Sequence, residues 1–239
     1  MAGNGGGKRT LELVGQHADV RFYGERASAL GGPLLVLGSG DGRIAWALAE
    51  GGAQVLAVDP SAVMVATAEQ RRALAPPEAS SRLKLLCGDL RALRLQERFP
   101  VVLAPQNALG LMATYEDLDA LLATVRHHLQ RGGTFLFDML NPLTGRGTER
   151  DGDARPNEPL PPSRPVFVPH LRERRRPPSG PAEGGIRRLR LRQFTTAEVD
   201  QALARAGLVA LERYGDFQGR AFLPDDALQV ALAQREDDG

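Results

Sequence analysis

The stretch Leu34-Leu35-Val36-Leu37-Gly38-Ser39-Gly40-Asp41-Gly42-Arg43 decides how this chain is read. An apolar run meets three alternating glycines, and a helix-forming run from Ile44 to Glu50 follows. The pattern predicts a strand, a tight turn and a helix. Glycine lets the backbone turn sharply and lets a ligand approach the main chain. The helix N-terminus behind the turn offers unpaired N–H groups at the positive end of a dipole. A nucleotide-like cofactor is the expected occupant, and a plain glycine-rich βα turn is the alternative. A dinucleotide fingerprint needs G-x-G-x-x-G. Here the third glycine comes one position early, and Arg43 stands where that pattern wants glycine. No Gly-Lys-Ser/Thr follows, which excludes a P-loop.

Working outward, Gln54 to Val58 reads as a second strand that ends in Asp59. That acid lies about twenty residues beyond the first glycine, where a ribose-binding carboxylate belongs. A carboxylate can accept from both hydroxyls of a vicinal diol; the alternative is a solvated strand-end acid. Pro60 and Ser61 open a helix, with Ser61 as its cap and Met64 facing inward. Ala73 to Ser81, which holds Pro76-Pro77, is expected to be a loop. Leu83 to Leu86 is a short third strand ending in Cys87-Gly88-Asp89-Leu90, with Cys87 expected in the core. Phe99 to Ala104 is the fourth strand and leads into Pro105-Gln106-Asn107. Open α/β sheets bind ligands beyond the carboxyl ends of their strands, so Gln106 and Asn107 are candidates for touching a substrate. The alternative is ordinary turn chemistry. A capping box at Thr114 to Asp117 starts a helix whose apolar period ends at Gly132-Gly133. His127 and His128 in its last turn suit the helix dipole. Thr134 to Leu140 is the fifth strand, with Asp138 near its end. Ile186 to Phe194 alternates basic and apolar residues, Thr195 caps a further helix, and Leu208 to Tyr214 and Leu228 to Ala233 close the set of strands.

In this order and spacing, these motifs resemble class I (Rossmann-like) S-adenosylmethionine (SAM)-dependent methyltransferases of the small-molecule type. The likeness continues through Phe194-Thr195, Ala206-Gly207-Leu208 and Tyr214-Gly215-Asp216-Phe217, and covers residues about 18 to 142 and 186 to 235. It implies an α/β, doubly wound, mostly parallel seven-stranded sheet with an antiparallel last strand, and a Pro/Arg-rich insertion after strand 5. It implies SAM as cofactor, with Gly38, Ser39, Gly40 and Gly42 under the methionyl and ribose portions. Asp59 would hold the ribose, beside Pro60 and Met64. Asp89 would hold the adenine amine, with Leu90 supplying a backbone N–H. Pro105 lies at the same strand tips, and Tyr23, on a helix preceding the first strand, would reach the methionine end. The alternative for Tyr23 is a core aromatic. One departure is Val36, where many members carry an acid that anchors the methionyl amine.

The domain boundaries that follow are a flexible N-terminus over 1–16, a cofactor-binding core over 17–142, an insertion or lid over 143–185, and the rest of the same sheet over 186–239. Within the insertion, Val166-Phe167-Val168 is the one apolar patch, and Arg172 to Arg176 is locally basic, read as a solvated loop. With 239 residues, one domain with a substantial core is possible. A net charge of +1 gives no strong pull towards nucleic acid or membrane, so neither is expected as a partner. A single cysteine builds neither a disulfide nor a cysteine-based zinc site, and no metal is expected. No apolar run approaches a membrane span and no secretion signal is visible, so cytoplasmic residence is expected. The expected reaction is methyl transfer from SAM to a small-molecule acceptor. Tyr23, Asn107, Asp138 and His170 are conceivable contributors, and none is singled out as catalytic. A degenerate methyltransferase-like binding module and, further off, an NAD-linked oxidoreductase are the alternatives.

Overall fold

A computed structural model describes residues 18–142, 166–171 and 187–236, with the backbone alone over 166–171 and 187–190. The expected flexible N-terminus, the run Arg172 to Arg176 and most of the insertion lie outside the described residues. In chain order the elements are α1 (Ala18–Leu30), β1 (Leu34–Leu37), α2 (Arg43–Glu50), β2 (Val55–Asp59), α3 (Ala62–Gln70), α4 (Pro77–Arg82), β3 (Leu83–Cys87) and β4 (Phe99–Ala104). Then follow α5 (Tyr115–His128), β5 (Leu129–Leu140), β6 (Val166–Leu171), β7 (Arg187–Leu191), α6 (Thr196–Arg205), β8 (Leu208–Tyr214) and β9 (Leu228–Arg235).

Seven strands form one sheet in the order β3-β2-β1-β4-β5-β9-β8. The first five run parallel, and β9 enters antiparallel between β5 and β8. The doubly wound, mostly parallel sheet with an antiparallel last strand is therefore as the sequence implies. Strand β1 is apolar at all four positions and buried throughout, as a strand covered on both faces requires. One apolar cluster packs α5 and α6 on one face of the sheet through Leu118, Leu121, Leu122, Val125, Val199 and Leu203. The other holds α1 and α2 through Phe22, Tyr23, Ile44, Trp46 and Leu48.

Several local expectations are corrected. Residues 71–82 are not a loop: a 3-10 turn (Arg71–Leu74) precedes α4, which starts on Pro77, where a missing N–H costs nothing. Helix α5 stops at His128, before Gly132-Gly133. Those glycines lie inside β5, where the register against β4 jumps from Phe99↔Leu129 to Val101↔Thr134, and Gly132 takes φ +66° to make the bulge. Cys87 is exposed at the end of the edge strand β3, not in the core. His128 is fully buried, and burial holds its pKa below the ordinary value. It accepts from Leu95 N (2.9 Å), so it is a neutral tether for the 91–98 loop rather than a cation at a helix end. In the 186–194 segment, β7 pairs antiparallel with β6 as a separate two-stranded sheet.

Helix α6 starts on a full capping box, in which Thr195 and Glu198 each accept from the other's backbone. Thr195→Ala is expected to cost about 1 kcal/mol and to lower the melting temperature by about 2–4 °C, checked by thermal unfolding followed by circular dichroism.

Candidate functional site

The strand order reverses between β1 and β4, and the loops after these two strands face each other there. Such a switch point is where an open α/β sheet leaves a crevice for a ligand. On the β1 side, Gly38, Gly40 and Gly42 all sit in the left-handed region, at φ +75°, +56° and +78°. A Cβ at Gly38 would stand 2.9 Å from Ala108 Cβ, and one at Gly42 2.8 Å from Ala68 Cβ. Both positions thus exclude a side chain by backbone strain and by space. At Gly40 a Cβ would meet only Gln106 Oε1, at 3.5 Å, across the crevice.

Asp59 closes the turn from the neighbouring strand. Its Oδ2 accepts from Gly40 N (2.8 Å) and its Oδ1 from Ser61 N (2.9 Å). Each oxygen keeps a lone pair after these bonds, enough for two hydroxyls of one ligand. Asp89 lies two residues beyond the β3 position that pairs with Asp59, so the two acids occupy adjacent strand tips. Arg91 grips Asp89 from Nε (3.0 Å) and Nη2 (2.8 Å), and the guanidinium holds this carboxyl down to about 2. Leu90 is buried, with Cδ1 3.6 Å from where a Gly38 Cβ would stand. Pro105 is buried, Met64 half-buried and Pro60 exposed. Ser39 Oγ is buried without a hydrogen-bond partner. A ligand with a polar group at this turn would satisfy it, as a buried hydroxyl requires.

The centre of the crevice floor is Asp138, near the end of β5. It accepts from Tyr23 Oη (2.7 Å), Gln106 N (2.7 Å) and Asn107 N (2.9 Å). Gln106 and Asn107 are the two non-glycine residues at positive φ among the described residues, +60° and +58°. Asp138 therefore holds a strained turn at the tip of β4. Full burial raises its pKa to about 6, and burial raises that of Tyr23 well above the tyrosine value. The phenol stays protonated and donates. Tyr23 is a core aromatic, fully buried, with its hydroxyl on the crevice-floor acid.

Helix α1 has a second clamp. Asp19, 3% exposed, takes both ends of the Arg43 guanidinium, with Nη1 at 2.9 Å from Oδ1. This pins the start of α1 onto the glycine turn. The sequence reading missed this pair, although Arg43 directly after the third glycine was its signal. The structure separates Gln106 from Asn107: Gln106 faces Gly40, whereas Asn107 Oδ1 accepts from Leu140 N (3.2 Å) and its amide lies against Gly110. His170 lies on β6, and its side chain is outside the described residues.

These features form a crevice at the switch point of a sheet with the class I methyltransferase fold. Residues 34–133 match the family described as a methyltransferase domain. A cypemycin N-terminal methyltransferase from a Streptomyces species is 35% identical over 125 residues, which are 52% of this chain and 48% of that protein. The match thus spans about half the length of the curated relative. The CcbJ methyltransferase of Streptomyces caelestis superposes with a TM-score of 0.73 at 25% identity, over 93% of this chain and 97% of that one. SAM-bound CalS10, an amino pentose methyltransferase from Micromonospora echinaspora, shares the fold with a TM-score of 0.63 at 20% identity, over 95% of this chain and 94% of that one. The chain has the class I methyltransferase fold, and its β1-to-β5 part, residues 34–133, matches a methyltransferase domain.

Protonating Asp138 turns one acceptor oxygen into a donor that faces donors. SAM affinity is expected to fall as pH drops through about 6. Asp138→Asn should abolish this pH step and weaken affinity at neutral pH, both read by titration calorimetry across pH 5–8 (about, as a working range). The folded pKa lies above that of the unfolded chain, so the carboxylate costs stability of about 3 kcal/mol above pH 6. That cost is relieved as pH falls from about 6 towards about 4, so Asp138→Asn should not lose stability in proportion to its loss of binding.

Proposed function

We propose that this protein binds SAM in the β1–β4 crevice and transfers its methyl group to an amine of a small-molecule or peptide acceptor. The observation that carries the cofactor part is the pairing of the all-left-handed glycine turn with Asp59, whose two oxygens each retain a lone pair at the next strand tip. Gly38, Ser39, Gly40 and Gly42 would line the methionyl and ribose side, and Asp59 would take the ribose diol. Asp89, with Leu90 N beside it, would take the adenine amine, through the Oδ2 lone pair left outside the Arg91 fork. Pro60 and Met64 would flank the ribose and adenine. Bound SAM supplies a sulfonium that is already an activated methyl donor. The chain's task is then to hold an acceptor in line and to exclude water.

The amine acceptor rests on the likeness to the cypemycin N-terminal methyltransferase. The acceptor side is the β4 loop, with Gln106 facing the glycine turn and Pro105 behind it. The 143–185 insertion leaves the core after β5 and returns through β7 beside this loop, where Arg192 N donates to Gly110 O (2.8 Å). We therefore assign the insertion to acceptor binding. Among the described residues no helix is long and apolar enough to cross a membrane. The one cysteine is free, which fits the cytoplasmic placement we propose.

A second reading has one observation in its favour. Val36 is fully buried among apolar residues and offers no carboxylate at the position that many family members use for the methionyl amine. A degenerate binding module predicts no SAM binding at all.

Titration with SAM and a methyl-transfer assay against free-amine small molecules and peptides test both readings. Saturable SAM binding with a methylated product is expected. Absence of SAM binding would leave the degenerate module. Asp59→Ala should weaken SAM binding roughly a hundredfold or more, since two hydrogen bonds to a charged acceptor are each worth about 1.5–3 kcal/mol. Shortening the 143–185 segment should raise the acceptor KM and leave the SAM Kd within about twofold.

A further inference from the structure

Helix α1 turns one face to the crevice. From that face Tyr23 reaches the crevice-floor acid Asp138, and Asp19 stands one helical turn earlier on the same side. Asp19 is 3% exposed and holds Arg43, the first residue of α2 after the glycine turn, through both of its Nη atoms. We propose that this pair grips the methionyl group of SAM, Arg43 by its carboxylate and Asp19 by its ammonium, so that α1 supplies the acid that β1 lacks at Val36. The inference rests on the SAM reading above and adds to it the residues that hold the amino-acid end.

Position supports it first. Asp89, Asp59 and the glycine turn lie in that order at the tips of the neighbouring strands β3, β2 and β1. A ligand with its adenine at β3 and its ribose at β2 brings its amino-acid end to the β1 turn and the start of α2, where Arg43 stands. The charged groups there feel one another. Hydrogen bonding to Asp19 raises the Arg43 pKa, and the charges of Asp41 and Asp138 add to it. Burial raises the pKa values of Asp138 and Tyr23, and the Asp19 charge adds to both.

The pair also keeps bonding capacity. Asp19 Oδ1 accepts from Val20 N and Arg43 Nη1, and Oδ2 accepts from Arg43 Nη2, which leaves a lone pair on Oδ2. Arg43 gives one hydrogen of each Nη to Asp19. The second hydrogen of each, and that of Nε, has no partner among the described residues. A guanidinium beside a carboxylate is complementary to an ammonium and a carboxylate on one carbon, since each charge meets its opposite. The ionised acids Asp59 and Asp138 repel a ligand carboxylate, whereas Arg43 can fork it.

Stability alone gives little reason to keep the pair. The Asp19 side chain is 3% exposed and that of Arg43 24%, and an ion pair so far from water recovers little of its desolvation cost. A ligand with one charge of each sign adds the attraction that folding does not supply.

The test compares S-adenosylhomocysteine, which carries the amino-acid group, with methylthioadenosine, which lacks it, both titrated calorimetrically into the full-length protein alongside SAM. The wild-type protein is expected to prefer SAM and S-adenosylhomocysteine. Asp19→Asn and Arg43→Gln should each weaken those two about tenfold or more and leave methylthioadenosine within about twofold. The double variant Asp19→Leu/Arg43→Met replaces the pair by apolar groups and should unfold at or above the wild-type temperature, yet lose the preference. A double variant that still prefers S-adenosylhomocysteine would overturn the proposal. Equal weakening of all three nucleosides would also overturn it and make the pair a clamp for α1 alone. Either result, with SAM bound by the wild-type protein, leaves the SAM reading standing. A wild-type protein that binds none of the three defeats that reading, and this inference with it.

Discussion

The buried carboxylate of Asp138 is the constraint around which the upper end of this molecule is arranged. A charge removed from water is costly unless hydrogen bonds replace the solvent. Three donors do so here, from two separate parts of the chain: the Tyr23 hydroxyl on α1, and the Gln106 and Asn107 amides at the tip of β4. The two amides reach the same carboxylate because both residues adopt positive φ, a conformation that costs of order 1–3 kcal/mol per residue. Neither cost would be tolerated alone. Together they fix the β4 loop, the first helix and the fifth strand to one point on the floor of the crevice.

Asp59 repeats this logic one strand further out. Its carboxylate organises backbone N–H groups of the glycine turn and of the following helix cap before any ligand arrives. The turn is thus pre-formed, which reduces the ordering cost of binding. Ser39 Oγ, buried within that turn and without a partner, is the complementary sign: a polar group kept ready where folding alone gives it nothing to bond. The Asp19–Arg43 pair then ties the start of α1 to the far side of the turn. The crevice is therefore bounded by parts that are locked to one another.

Much of this was legible because it rests on short-range rules. Apolar runs, alternating glycines and an acid at the right separation define the βαβ start, and they do so whatever surrounds them. The seven-stranded sheet and its antiparallel strand followed from the family resemblance that these motifs carry, not from the residues themselves. What stayed hidden depends on contacts between distant segments. Asp138 was one acid among several until burial and a bond to a residue 115 positions away distinguished it. Asn107 reads equally as a substrate contact or a turn residue by its place after β4, and its positive φ and the bond of its Oδ1 from Leu140 N are contacts that the sequence does not display. Cys87 reads as core by residue type, yet β3 is an edge strand and its end is open to solvent. Gly132-Gly133 signals a helix stop when only local rules apply, and it is the ladder with β4 that recruits the pair into a bulge.

The net charge of +1 averages two unlike ends. At the carboxyl ends of the parallel strands, Asp19, Asp41 and Asp89 each have an arginine partner, whereas among the described residues Asp59 and Asp138 accept from neutral donors. The negative field of this edge therefore comes mainly from the two acids that frame the crevice. In a methyl transfer from a sulfonium, the donor is a cation and the spent cofactor is not. A fixed negative field then favours the charged donor over the product, and it weakens its hold once the methyl group has left. An acid at position 36 would add to that field from inside a strand buried on both faces, where desolvation is most costly. Placing the carboxylates at strand tips, next to backbone N–H groups, supplies a field of the same sign at lower cost, which gives a physical reason why a valine is tolerated there.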